Sequence, residues 1–180
     1  RLHITLFIVI VALLLGLLLG TFVAVVRLYR IPLLNQMATV YVSFIRGIPI
    51  LVLLFIVYIG LPLLVGSFGF NINRWDTLFF VMIAYVVNTA AFLSEIIRSS
   101  VAGVDKGQTE AAYSVGLMTS QVLRRIVLPQ TLPVAVPLVG SQFISLIKGA
   151  AIASLISVVE VINATIYEAN GNYKFLEAYV

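Results

Sequence analysis

Residues 98–131 read RSSVAGVDKGQTEAAYSVGLMTSQVLRRIVLPQT. This polar stretch lies between long uncharged runs, and it carries the signals of folded structure. Asp105 and Gln108 have the spacing of a capping box for a short helix. Ala111 and Ala112 favour helix and present little bulk. Gly116 permits a turn at positive φ, which would end that helix. Thr119 can cap a second short helix over 120–128, before Pro129. The expectation is two short helices bent at Gly116, a small-residue knob that can enter a groove on another protein. On the helix pattern alone, an amphipathic linker lying at a membrane surface fits equally well.

The rest of the chain fixes the setting. Of 180 residues, 62% are hydrophobic and 10% charged, and the mean hydropathy is +1.14. A soluble domain carries about 25% charged residues, so this chain has too little polar surface to cover itself in water. That excludes a disordered segment, a nucleic-acid-binding domain and an ordinary soluble enzyme. There is no Cys, which excludes disulfides and thiolate metal sites. A helix needs about 20 apolar residues to cross a bilayer core of about 30 Å. Three uncharged runs qualify, at 4–26, 47–73 and 77–94, and a fourth span is expected over 132–158 with Lys148 inside it. A fifth span is expected to begin near Phe175. The reading is an all-α integral membrane chain, residues 1–180 forming one transmembrane domain truncated at both ends.

Basic residues set the expected topology. Arg27, Arg30, Arg46, Arg98, Lys106, Arg124 and Arg125 flank the spans on one side, and Arg1, Arg74 and Lys174 on the other. The richer side is expected to be cytoplasmic, with the 99–128 loop inside. Trp75 then sits at the outer interface, where an aromatic is expected.

The order Glu110-Ala111-Ala112, three residues, Gly116, nine residues, Ile126, one residue, Leu128-Pro129 resembles, at every defined position, the EAA loop of ABC importer permeases. The resemblance covers nearly the whole chain and points to the polar amino-acid subfamily, the permeases for histidine, glutamine, arginine and cystine. Its further pieces are YVSFIRGIPILVLLF, AAFLSEIIRSS, KGQTEAA, LPQTLPVAVP and SQFISLIKGAAIASLI. The resemblance implies the type I importer permease fold, with about five transmembrane helices in the family, four plus the start of a fifth being present here. It implies a permease dimer around a central path in the bacterial cytoplasmic membrane, surrounded by lipid. The second subunit would be another copy or a paralogue. It also implies an extracytoplasmic amino-acid-binding protein and cytoplasmic ABC ATPases, each taking one loop in a cleft. ATP and Mg would reside on the ATPase, no cofactor in this chain, and no nucleic acid would be involved. In line with that division of labour, the chain has no GxxxxGK[ST] and no Gly-Lys pair, which a phosphate cradle requires. Coupling then falls to Glu110, Ala111, Ala112, Gly116, Ile126, Leu128 and Pro129. The family commonly reads Lys-Asp-Thr-Ser-Leu where this chain reads Lys148-Gly149-Ala150-Ala151-Ile152, so roles of the acidic and hydroxyl groups do not carry over.

Charges within or near spans are costly, about 2.5–3.5 kcal/mol at mid-bilayer on insertion scales, so Arg46, Glu95, Lys148 and Glu160 should face protein or water. Lys148 can hold a substrate carboxylate, or tie to backbone carbonyls or Glu160. Glu95 can pair with Arg46 as a structural clamp, with Arg98 competing at i,i+3, or bind a substrate amine. Asn88 and Thr89 are polar groups in mid-span that either line the path or bond between helices. Pro129, Pro133 and Pro137 recur every four residues and should share one helix face. An ion-coupled carrier or channel without an ATPase is the rival reading, and it has no use for the matched loop. A membrane enzyme would have to rely on His3, without Cys or a carboxylate cluster.

Overall fold

The computed structural model describes residues 2–72 and 74–150. The expected fifth span near Phe175, the last part of the fourth span, and Glu160 and Lys174 lie outside the described residues.

All regular structure among the described residues is helical. The first element is α1, Leu2–Leu28. A turn with Arg30 and Leu33 at positive φ leads to α2, Leu34–Gly47. The second span is built from α3 (Ile50–Phe55), a π turn (Ile56–Gly60) and α4 (Leu61–Ser67). Next come α5 (Thr77–Ala102), α6 (Lys106–Ser114) and α7 (Thr119–Val122). A second π turn, Leu123–Val127, runs into α8, Leu128–Gly149.

Among the described residues, four helical stretches are long and apolar enough to cross a membrane: Thr5–Leu28, Ile50–Ser67, Thr77–Ala102 and Thr119–Gly149. The third is the hub, with 61% of its most apolar window buried against 28% or less in the other three. The remaining helices therefore turn apolar faces outward, including Leu18, Phe22, Leu63 and Leu132. Such a surface is untenable in water and natural in lipid.

The tightest packing is between α1 and α5, and glycine makes it possible. A Cβ on Gly16 would fall 2.6 Å from Thr89 Cγ2, and one on Gly20 would fall 2.8 Å from the Ala90 carbonyl oxygen. Ala12, Ala90 and Ala91 continue the small-residue seam. In lipid, where apolar side chains gain nothing by leaving solvent, such close backbone approach is what holds helices together.

Three expectations need correcting. Residues 34–47, which carried no expected element, form an amphipathic helix that buries Val42 and Ile45. The third span runs on to Ala102, two turns past its last uncharged residue, with Glu95 and Arg98 paired along the helix. The helix begun at Thr119 does not stop before Pro129 but continues to Gly149. The π turn explains this last point. A proline ring collides with the carbonyl four residues back; widening the helix by one residue relieves it, and the Leu128 N–H reaches the carbonyl of Leu123. The same device, π turn then Leu-Pro, precedes Pro62 in the second span. Pro129, Pro133 and Pro137 do share an exposed face.

Candidate functional site

The polar stretch folds into an elbow. Asp105 caps α6, its carboxylate accepting from the Gly107 N–H at 2.7 Å. Gln108 does not complete the box. Its side-chain oxygen accepts from Gln130 Nε2 at 2.6 Å, tying α6 to the start of α8. At the far end of α6, Gly116 takes φ +84°. The Leu117 N–H donates to the Ala112 carbonyl at 3.1 Å and the Gly116 N–H to that of Tyr113 at 3.0 Å. That pair of bonds is a Schellman stop, which favours glycine at the left-handed position. The following helix is capped from Met118 rather than Thr119: the Met118 N–H donates to Gln121 Oε1 at 2.9 Å.

The elbow has a small core of its own. Ala112, Val122 and Val127 are buried together, with Val101, Val104, Leu117 and Ile126 packed around them. Of the seven motif positions, Ala112 and Ile126 thus pack inward and Gly116 makes the bend. Glu110, Ala111, Leu128 and Pro129 are exposed. Beside them the elbow exposes Tyr113, Val115 (77%) and Met118 (71%), large apolar groups at a tip that is otherwise polar.

Of the other charged candidates, Arg46, Glu95 and Arg98 gather at the arginine-rich ends of the spans. Glu95 receives Arg27 Nη1 at 2.6 Å, Arg98 through both Nε (3.2 Å) and Nη2, and Arg46 Nη1 only at 4.0 Å. Arg98 and Arg46 were expected partners; Arg27 was not, although its place at the end of the first span gives it the same depth. Arg27 joins α1 to α5 at the end of the glycine seam. Three guanidinium groups thus converge on one carboxylate.

A recess of about 380 Å³ opens between the α2–α3 corner, α5 and α8. Its polar lining comes from Asn88, Gln142 and Ser145, and its apolar wall includes Pro49, Phe92 and Leu146. The buried Tyr85 hydroxyl donates to the Gly149 carbonyl and fixes the end of α8 against α5. Asn88 therefore stands on the recess wall. Thr89 is fully buried in the seam against Gly16, and its hydroxyl has no hydrogen-bond partner among the described residues. Lys148 is exposed beside Gly149, with no ion-pair partner among the described residues. Gln142 and Ser145, absent from the sequence-based candidates, are polar residues three apart on one apolar span, which is the signal that finds them.

The chain is 48% identical over 159 residues to the L-cystine transport system permease protein TcyL of Bacillus subtilis (strain 168), a match that takes in 88% of this chain and 66% of that protein. It is 36% identical over 165 residues to a probable amino-acid ABC transporter permease protein, PatM, of Vibrio harveyi, covering 92% of this chain and 72% of the relative. A crystal structure of an amino acid ABC transporter with histidines superposes with a TM-score of 0.84 at 32% identity, over 99% of this chain and 80% of that one. The fold is that of the ABC transporter permeases. Residues 5–179 match the profile of the binding-protein-dependent transport system inner membrane components, and the chain belongs to that family.

Proposed function

We propose that the chain is the transmembrane permease subunit of an ATP-driven ABC importer that moves a polar amino acid across the bacterial cytoplasmic membrane. The observation that carries this reading is the elbow. A glycine-stopped helix with its own small core presents Glu110, Ala111 and an apolar tip beyond four apolar spans. A stiff projection attached to a span transmits force, whereas a loose loop absorbs it.

In this reading the arginine-rich ends face the cytoplasm. The elbow seats in a cleft of a separate ATPase that holds ATP and Mg and does the hydrolysis; this chain transports and is not itself an enzyme. Ala112, Gly116 and Ile126 build the elbow, and Glu110, Ala111 and the tip meet the ATPase. The Gln108–Gln130 bond and the π turn at Leu123–Val127 carry its displacement into α8. A second permease subunit covers outward apolar faces, and a binding protein delivers substrate on the Trp75 side. Asn88, Gln142 and Ser145 offer neutral donors and acceptors along the path, with Lys148 as a further contact near the far end of α8. The names of the relatives support amino acids as cargo.

The test is ATP-driven uptake of radiolabelled L-cystine, L-glutamine and L-arginine by the reconstituted complex. Wild type should accumulate at least one of them in an ATP-dependent way. Gly116→Asp, which puts a side chain and a negative charge at the left-handed bend of the exposed elbow, should insert normally and lose uptake. Uptake that persists without ATP, or that survives Gly116→Asp unchanged, contradicts the proposal.

A further inference from the structure

We infer that Arg46 is the carboxylate-receiving group at the arginine-rich mouth of the recess, and so a specificity-determining residue for substrate amino acids. This deepens the transport reading and rests on it.

The argument starts from charge pairing. Glu95 is one carboxylate facing three guanidinium groups, and Arg27 and Arg98 occupy its oxygens at hydrogen-bond range. Arg46 stands off at 4.0 Å, with 42% of its side chain exposed. Its hydrogen-bonding fork is therefore largely unspent, while Glu95 keeps it from swinging away. Phe92 fixes it from the other side, the guanidinium carbon lying 5.5 Å from the ring centroid.

Position supplies the second strand. Arg46 occupies the last turn of α2, and the chain then runs through Ile48, in extended conformation, to Pro49. Ile48, Pro49 and Phe92 all belong to the recess wall that carries Asn88 and Gln142. A half-exposed guanidinium thus lies over Phe92, a residue of that wall. The recess itself offers only neutral polar groups among its lining residues. Every α-amino acid carries a carboxylate, and a planar guanidinium binds one through two parallel N–H···O bonds. An arginine at the mouth would therefore recognise what all such substrates share, leaving Asn88, Gln142 and Ser145 to meet what differs.

Glu95 retains Arg27 and Arg98 when Arg46 is replaced, so Arg46→Gln should insert and assemble. The experiment measures equilibrium binding of radiolabelled L-cystine, L-glutamine and L-arginine to the permease–ATPase complex in nanodiscs, without binding protein, each competed by the unlabelled amino acid and by its α-carboxamide. Wild type should prefer the carboxylate at least tenfold. Arg46→Gln should bring the ratio near one, and Arg46→Lys, which keeps the charge and loses the fork, should fall between. Arg30→Gln removes the same charge from the same end of the bundle and should keep the wild-type ratio. An unchanged ratio in Arg46→Gln, or an equal drop in Arg30→Gln, overturns this inference alone. If wild type binds none of the three amino acids, the inference fails, and ATP-driven uptake decides the transport reading separately.

Discussion

Glu95 joins two helices and an amphipathic third through a single carboxylate, and its surroundings state what its loss would do. Arg27 is only 13% exposed at its side chain and depends on Glu95 for its contact at 2.6 Å. Glu95→Gln would leave three arginines repelling one another with no counter-charge among the described residues. Breaking a buried pair from one side costs about 3–5 kcal/mol, and this part-buried cluster should lose less than that, read as a lower melting midpoint of the purified chain in detergent. A melting midpoint equal to wild type would show that the cluster does not brace the bundle. Much of this was visible beforehand: Glu95, Arg46 and Arg98 stand at similar depth, and i,i+3 spacing is a local rule. Arg27 escaped notice because its pairing depends on α1 and α5 lying in the same direction and within glycine contact, which no local pattern states.

The helices show the same division between local and long-range information. Apolar length revealed the spans, and the Asp105 and Gly116 signals revealed both ends of α6, because cap and stop chemistry is local. The continuity of Thr119 to Gly149 was hidden because proline reads as a breaker, whereas here the helix widens into a π turn just before Pro129 and continues. α2 was hidden by its mixed polarity, having neither a span's length nor a clean polar loop. The α1–α5 seam was legible in principle, since Gly16-Leu17-Leu18-Leu19-Gly20 has small-residue spacing, yet its partner face was not. Gly20→Leu tests that seam. A side chain there meets the Ala90 backbone, so overpacking of about 1–3 kcal/mol is expected, with poorer yield of folded protein and a lower melting midpoint. Wild-type stability would mean that α1 and α5 do not pack through Gly20.

At the scale of the whole, the described residues form a bundle with outward apolar faces and an elbow that has a small apolar core of its own. Recognition of the elbow from sequence rested on fixed spacings that serve its own folding: Ala112 and Ile126 fill its core and Gly116 makes its stop. The exposed tip was not legible, since Tyr113, Val115 and Met118 look like ordinary helix and turn residues until the fold turns them outward. Because the chain has no cysteine, Val115→Cys would carry its one thiol at the most exposed point of that tip. Labelled with a short photoactivatable crosslinker in membranes that contain the assembled transporter, it should join the permease to an ABC ATPase. The yield should change between nucleotide-free and ATP-bound states. Crosslinks confined to lipid, or to the permease itself, in complexes that still transport would contradict the coupling account.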